Sequence, residues 1–512
     1  MLDFAIFAVC FVVFLLLLVF YLYPGSSHQT TIPGPDPSDP KEGNVGDIVL
    51  AGGLQEFLKS LHKTHGPIAS FWMGTKLVVS LGSSDLFKEQ AQIFDKPADL
   101  LELYRTFAGP GSILFANGIE ARKRRQNIDR VLVNNVNTLF PQILQLCKEV
   151  VDHWEKLPPE QHVPTYQYMY ALCMKTCTRM MFGHYFLDDK NVLEFSRAFE
   201  PCMAELEAMS KGTVEDADSP RRKTFEEASK KMRAMLAKSL QEHKSSKASK
   251  DKTPLLIDIL SSSNLSDDQV VDDCVTFVIK SYSLISVNPS TEWYRGRGHC
   301  NKGAGPKANG PSWSIFREIP LFCISRFLCH TAMTWSIYFL ATHIELQDRI
   351  AMEAEELMNA KTEVTPEHFL KLRAVQMAIK ETLRTSVVEP WTARFQDIDV
   401  EIGGHIIPKK TPVIQALGVV MHSEEYWELP QRFDIKRFED EKETPGEAFC
   451  PFGFAGKRHC PGRDFAMLQM SVFIVMLCSR LRLQLVESQV VSPTYTVVTK
   501  PEDEVWLLLS KR

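Results

Sequence analysis

Phe452-Gly453-Phe454-Ala455-Gly456-Lys457-Arg458-His459-Cys460-Pro461-Gly462-Arg463-Asp464-Phe465-Ala466 is the stretch that decides how this chain is read. One cysteine, Cys460, stands in a glycine-rich turn directly before the apolar run Phe465 to Leu485. That run has no proline and spaces its large residues as a buried helix does. Cys460 is therefore expected near a helix N-terminus, where the dipole and unpaired N–H groups favour a thiolate. Lys457 and Arg458 add positive charge beside the sulfur. Most cysteines are inert buried thiols. A lone thiolate so placed suits a nucleophile or an axial ligand to haem iron.

Working outward, 512 residues with 45% hydrophobic composition can bury a large core. A net charge of −5 gives no reason to expect nucleic acid as a partner. The 12 cysteines contain no CxxC pair and no dense framework, which fits a reducing compartment. Cys173 and Cys177 are one helical turn apart and, with no histidine pair nearby, are expected as buried thiols.

Phe4 to Tyr23 is an uncharged apolar run of the length that crosses a bilayer as a helix. Asp3 in place of basic residues, and no small-x-small site after it, favour an uncleaved anchor over a signal peptide. Residues 1–23 are thus expected as a transmembrane helix in the lipid bilayer, and 24–45 as a proline-rich hinge. The body, 46–512, reads as mainly α with small β-sheets. Gly66 to Leu81 has the pattern of a hairpin, and Thr138 to His243 has helical spacing broken by the polar Ser210 to Lys223. Lys244 to Lys252 is expected as a surface loop.

A helix is expected from Asp267 to Ile279, and helical sequence resumes from Cys329 to Leu357. Between them, residues 283–327 hold Asn288-Pro289, Arg295-Gly296-Arg297-Gly298 and Gly310-Pro311, a composition that cannot continue a helix. They read either as a looped-out insertion or as a retained intron in a gene product, with the second favoured.

These features converge on one resemblance. Gly456-Lys457-Arg458-His459-Cys460-Pro461-Gly462 resembles the haem-binding loop of cytochromes P450, F-x-x-G-x-R-x-C-x-G. The glycine, arginine, cysteine and final glycine are in register, while Gly453 occupies the phenylalanine slot, as in the family-20 (subfamily A) branch. Glu381-Thr382-Leu383-Arg384, Trp391 to Arg394, Trp427-x-x-Pro430-x-x-Phe433 and Arg437-Phe438 are similar in type and order to the family's C-terminal third.

The resemblance implies the cytochrome P450 fold behind an N-terminal anchor, with haem b bound and Cys460 as its axial ligand. It also implies Arg458, Arg394 and Arg124 on the haem propionates, with Glu120 standing where the family has tryptophan. Glu381, Arg384 and Arg437 would form a buried charged triad. In register, Phe327 and Leu328 replace the family's proton-relaying acid and threonine, and Thr331 lies one turn later as the remaining catalytic hydroxyl.

The implied function is monooxygenation of a small apolar substrate, with electrons from NADPH-cytochrome P450 reductase, on a single-pass protein of the endoplasmic reticulum whose haem domain is cytosolic. A haem-thiolate isomerase or dehydratase, which needs no acid–threonine relay, and a non-catalytic haem-binding protein remain as alternatives.

Overall fold

The computed structural model describes residues 30–93, 95–97, 101, 104–132, 136–210, 216, 218–245, 255–281, 328–359, 363–440, 445–454, 459–495 and 499–512. Helices dominate: α1 (Gly118–Leu132), α2 (Val136–Trp154), α3 (Thr165–Phe182), α4 (Asp189–Ser210), α5 (Pro220–Ser245), α6 (Asp267–Ser281), α7 (Leu328–Thr342), α8 (Ile344–Asn359), α9 (Arg373–Ser386) and α10 (Arg463–Arg480).

Periodicity explains how they pack. On α2, Leu139, Phe140, Ile143, Leu146, Cys147, Val150, Val151 and Trp154 recur at three- and four-residue steps and are all buried. α10 is buried on nearly every side from Phe465 to Cys478, because α2, α8 and α9 enclose it. Each large side chain buried there stabilises the fold by about 1.5–3 kcal/mol. α6 starts at a reciprocal cap in which Ser266 Oγ accepts from Gln269 N (3.2 Å) and Gln269 Oε1 accepts from Ser266 N (3.0 Å).

The main sheet has four strands, β1 (Ile68–Met73), β2 (Lys76–Leu81), β3 (Thr392–Arg394) and β4 (Val413–Gln415), in the order β1-β2-β4-β3. β1 and β2 form the expected hairpin, paired from Ile68↔Leu81 to Met73↔Lys76, with Gly74 at φ +61° in the turn. β2 runs parallel to β4, so the sheet joins the N-terminal hairpin to a segment more than 300 residues later.

Two expectations are corrected. The apolar run to Leu485 is not one helix: α10 ends at Arg480, and Leu481–Leu485 is a strand paired with Trp506–Lys511. Its burial alternates from Leu481 to Gln484, a period of two that helical spacing cannot satisfy. The second correction concerns the membrane. No helix among the described residues is long and apolar enough to cross one. The expected anchor, residues 4–23, lies outside the described residues. The transmembrane helix, the lipid bilayer as partner and the endoplasmic-reticulum placement are therefore withdrawn, and the fold class is mainly α with small β-sheets. The insert at 283–327 also lies outside the described residues, as do residues 246–252 of the expected surface loop.

Candidate active site

Cys460 sits where the chain enters α10. Its N–H donates to Phe452 O (2.9 Å), and its carbonyl accepts from Arg463 N (3.4 Å), the first residue of the helix. Among the free cysteines described it alone is not buried. Five of the others are held protonated by burial, which pushes Cys450 and Cys478 up to about 12, and Cys147, Cys202 and Cys274 upward as well.

Gly453 explains the missing phenylalanine. Its φ is +88°, a conformation that strains any residue with a Cβ. Its neighbours divide the packing: Phe452 lines the cavity beside the sulfur, and Phe454 turns away to meet Phe87 edge-on at 5.4 Å.

Cys460 lines a cavity of about 130 Å³. Its wall is almost wholly apolar or sulfur-bearing, with Cys173 and Cys177 from α3, Phe277 from α6 and Ala332 from α7. The two α3 thiols are buried, as their spacing implied, and both face this cavity. α9 ends on Val387 in a left-handed conformation (φ +42°), and Val388 and Glu389 beyond it complete the wall.

The expected triad is assembled. Arg384 reaches Glu381 with two parallel bonds, Nε to Oε2 at 2.7 Å and Nη2 to Oε1 at 2.8 Å. Arg437 Nε donates to Glu381 Oε1 at 3.2 Å, as does Asp434 N at 2.9 Å. The remaining Arg384 donors end on the carbonyls of Met421, Pro430 and Arg432, and its guanidinium lies 5.3 Å from the Trp427 ring.

The arginines expected on propionates separate into three cases. Arg458 lies outside the described residues. Arg124 is buried on α1, but all three of its nitrogens are engaged: with Asp273 of α6, with Glu120 Oε1 (3.1 Å) and with Gly111 O (2.9 Å). Burial pushes the Asp273 carboxyl up against the opposing pull of Arg124.

Arg394, the last residue of β3, is 4% exposed and among the described residues bonds Thr392 Oγ1 and Ala393 O, both at 2.8 Å. It has no carboxylate partner among the described residues. Its pKa falls to about 10, through burial first and then the charge of Arg125, against the pull of Glu389 on the cavity wall.

Arg125 is the residue that sequence reasoning passed over. The cluster Arg122 to Arg125 is not one solvated face: Arg122 and Lys123 are exposed, while Arg124 and Arg125 are buried. Successive helical residues point about 100° apart, so Arg124 turns to α6 while Arg125 comes close enough to depress Arg394. The half-exposed Asp129, 2.7 Å from its Nε, balances Arg125. Thr331 is fully buried on α7, its hydroxyl without a hydrogen-bond partner among the described residues, beside the cavity-lining Ala332.

A haem b fits this donor set: an apolar cavity, one accessible cysteine on its wall, and a buried Arg394 that makes no ion pair among the described residues. Comparison with known proteins agrees. The Cytochrome P450 family model matches residues 33–283 and 329–508, passing over the insert. The chain is 34% identical to Cytochrome P450 20A1 of Mus musculus over 516 residues and 34% identical to that of Homo sapiens over 520, covering all of both chains in each case. It is also 30% identical to Cytochrome P450 4A2 of Rattus norvegicus over 182 residues, 35% of this chain and 36% of that one. Two matched segments spanning most of the chain, arranged around a cysteine-bearing apolar cavity, place this protein in the cytochrome P450 family of haem b oxidoreductases.

Proposed function

We propose that the protein is a haem-thiolate monooxygenase acting on a small apolar substrate, with electrons from an NADPH-dependent flavoprotein reductase. The observation that carries this reading is Cys460, accessible at the head of α10 and opening into an apolar cavity. Bound there, the haem supplies oxygen activation, with thiolate electron density favouring O–O cleavage.

The chain's own residues do the rest. Arg394 and, in place of the expected Arg124, Arg125 would hold negative charge on the cofactor's periphery, with Arg458 as the other expected donor. Glu381, Arg384 and Arg437 fix the turn that leads towards Cys460, as specificity more than net stability. The apolar wall excludes water and selects an apolar ligand. The buried Thr331 hydroxyl, next in sequence to the cavity-lining Ala332, is our candidate for holding a proton on the α7 side. Exposed Arg122 and Lys123 suit an acidic reductase surface.

The reduced protein with carbon monoxide should show the red-shifted Soret band of thiolate ligation, and Cys460→Ala should lose it. An unshifted band in folded wild-type protein sinks the reading.

A second reading, a haem-thiolate isomerase or dehydratase, rests on Leu328 standing in the threonine register at the first residue of α7. NADPH consumption in the presence of reductase separates the two, since the isomerase needs none. We also infer that residues 283–327 are an addition to the haem domain, a reading supported by a family match that stops at 283 and resumes at 329. Deleting 283–326 should keep haem incorporation and raise the melting temperature. Loss of haem on deletion would make the segment part of the domain.

A further inference from the structure

The cavity wall formed by α10 continues into an aromatic file. Gln469 and Met470 line the cavity, and Phe473, one turn further, is fully buried. Phe473 meets Trp154, the last residue of α2, at 6.0 Å between ring centroids. Trp154, also buried, meets the Tyr168 ring of α3 edge-on at 5.3 Å. The Tyr168 hydroxyl lies 2.9 Å from Nε2 of His153, and both of these residues are partly exposed. An easily oxidised indole thus stands between the cavity and a phenol–imidazole pair at the surface.

The pair has the chemistry of a proton-coupled electron donor. A phenol gives up an electron readily only when its proton has an acceptor. Burial holds the His153 imidazole below its ordinary pKa, with help from Lys156, and in the tautomer protonated at Nδ1 its Nε2 accepts the Tyr168 O–H. Burial raises Tyr168 to about 12, so the phenol keeps its proton until it is oxidised.

We propose that Trp154, Tyr168 and His153 form a one-electron relay through which this protein reduces hydroperoxides at the expense of small thiols. The proposal rests on the haem-thiolate reading. With haem bound, which would supply the oxidation by the hydroperoxide, each pass would draw one electron from Tyr168 by way of Trp154 and move the Tyr168 proton to His153 Nε2. A small-molecule thiol then gives a hydrogen atom to the Tyr168 oxygen, and His153 releases its proton. Two passes convert one hydroperoxide and two thiols into one alcohol, one water and one disulfide, the two thiyl radicals pairing. Phe473 serves as packing that brings Trp154 close to the wall, and it is not itself oxidised.

The test uses the haem-loaded full chain, hydrogen peroxide and cysteamine. The ferrous carbon-monoxide band is recorded first, then the rapidly frozen peroxide reaction is examined by electron paramagnetic resonance. Wild type should give a tyrosyl radical that Tyr168→Phe lacks, with the carbon-monoxide band and melting temperature unchanged. His153→Gln should slow cysteamine oxidation about a hundred-fold, the size of a lost proton acceptor, and it keeps the test decisive if Tyr168→Phe does not fold. A thiolate band with no tyrosyl radical, or with the same radical in Tyr168→Phe, overturns the relay alone. A missing thiolate band in wild type overturns the haem-thiolate reading and the relay with it.

Discussion

Two buried arginine clusters flank the cavity region, and they are completed in different ways. Around Glu381 the charges close on themselves: Arg384 is satisfied by a bidentate carboxylate and three carbonyls, and Arg437 shares the same carboxylate. Around Arg394 the cluster is looser: Arg125 pairs with the half-exposed Asp129, and Arg394 feels the charge of Glu389 but makes no ion pair among the described residues. Buried charge is tolerated only when paired. A closed cluster is scaffolding, whereas an open one marks a place where a ligand's charge completes the structure.

Substitutions can break that contrast. The largest effect is expected for Glu381→Ala, which strands two arginines. Breaking a buried pair costs about 3–5 kcal/mol, so denaturant unfolding should shift by that amount and haem uptake should fail. A loss below 1 kcal/mol would mean that the cluster is not the scaffold it looks to be.

Arg394→Met should act oppositely on the two forms. The haem-free protein should melt no lower than wild type, because a desolvated like charge is removed. Haem affinity should fall by about 1.5–3 kcal/mol, the range for hydrogen bonds to charged groups. A destabilised haem-free protein with normal affinity would make Arg394 structural.

Restoring the family's aromatic residue should also hurt. Gly453→Phe forces a side chain into φ +88°, at about 1–2 kcal/mol, and should lower the melting temperature. A gain in stability would show that the loop relaxes into the usual conformation.

A further handle is acid. Burial, aided by Lys59 and Arg384, lowers His422 to about 3 while its ring donates to Thr385 O (3.0 Å). The folded state keeps this imidazole neutral, so its stabilising effect is full above the unfolded pKa near 6.5 and is lost as pH falls from there towards 3. The slope is about 1.4 kcal/mol per pH unit, and His422→Gln should flatten this limb by one proton. Identical pH profiles for the two proteins would remove His422 from the account.

What the sequence made legible follows the range of the interactions. The sulfur at the head of α10 and the Glu381–Arg384 pair are set by spacing of a few residues, and register along one helix suffices to read them. Arg437 required the order of motifs as well. The roles of Arg124 and Arg125 depend on which helix each faces. Asp273 lies about 150 residues away, and nothing in Arg122-Lys123-Arg124-Arg125 distinguishes its partner from solvent. The strand at Leu481–Leu485 was hidden because an apolar run satisfies periods of 3.6 and of two over so short a span. The membrane expectation came from local hydropathy in residues 4–23, and no described helix supports it.

The Arg124–Asp273 contact has a consequence for how the chain assembles. Asp273 also accepts from Ile113 N (2.7 Å), and the neighbouring Asp272 accepts from Gly111 N (2.8 Å) and Arg233 Nη1 (2.6 Å). Three separate segments thus meet on two adjacent carboxylates of α6, and none of them can be buried early without leaving a charge stranded. Docking of α6 against α1, α5 and the 109–113 loop is therefore an all-or-none event of high sequence separation, late and slow compared with the forming of the helices themselves. A nascent chain waits for residue 273 before its first third can close, and until then the apolar flank of α1 is exposed to whatever in the cell binds unfinished proteins.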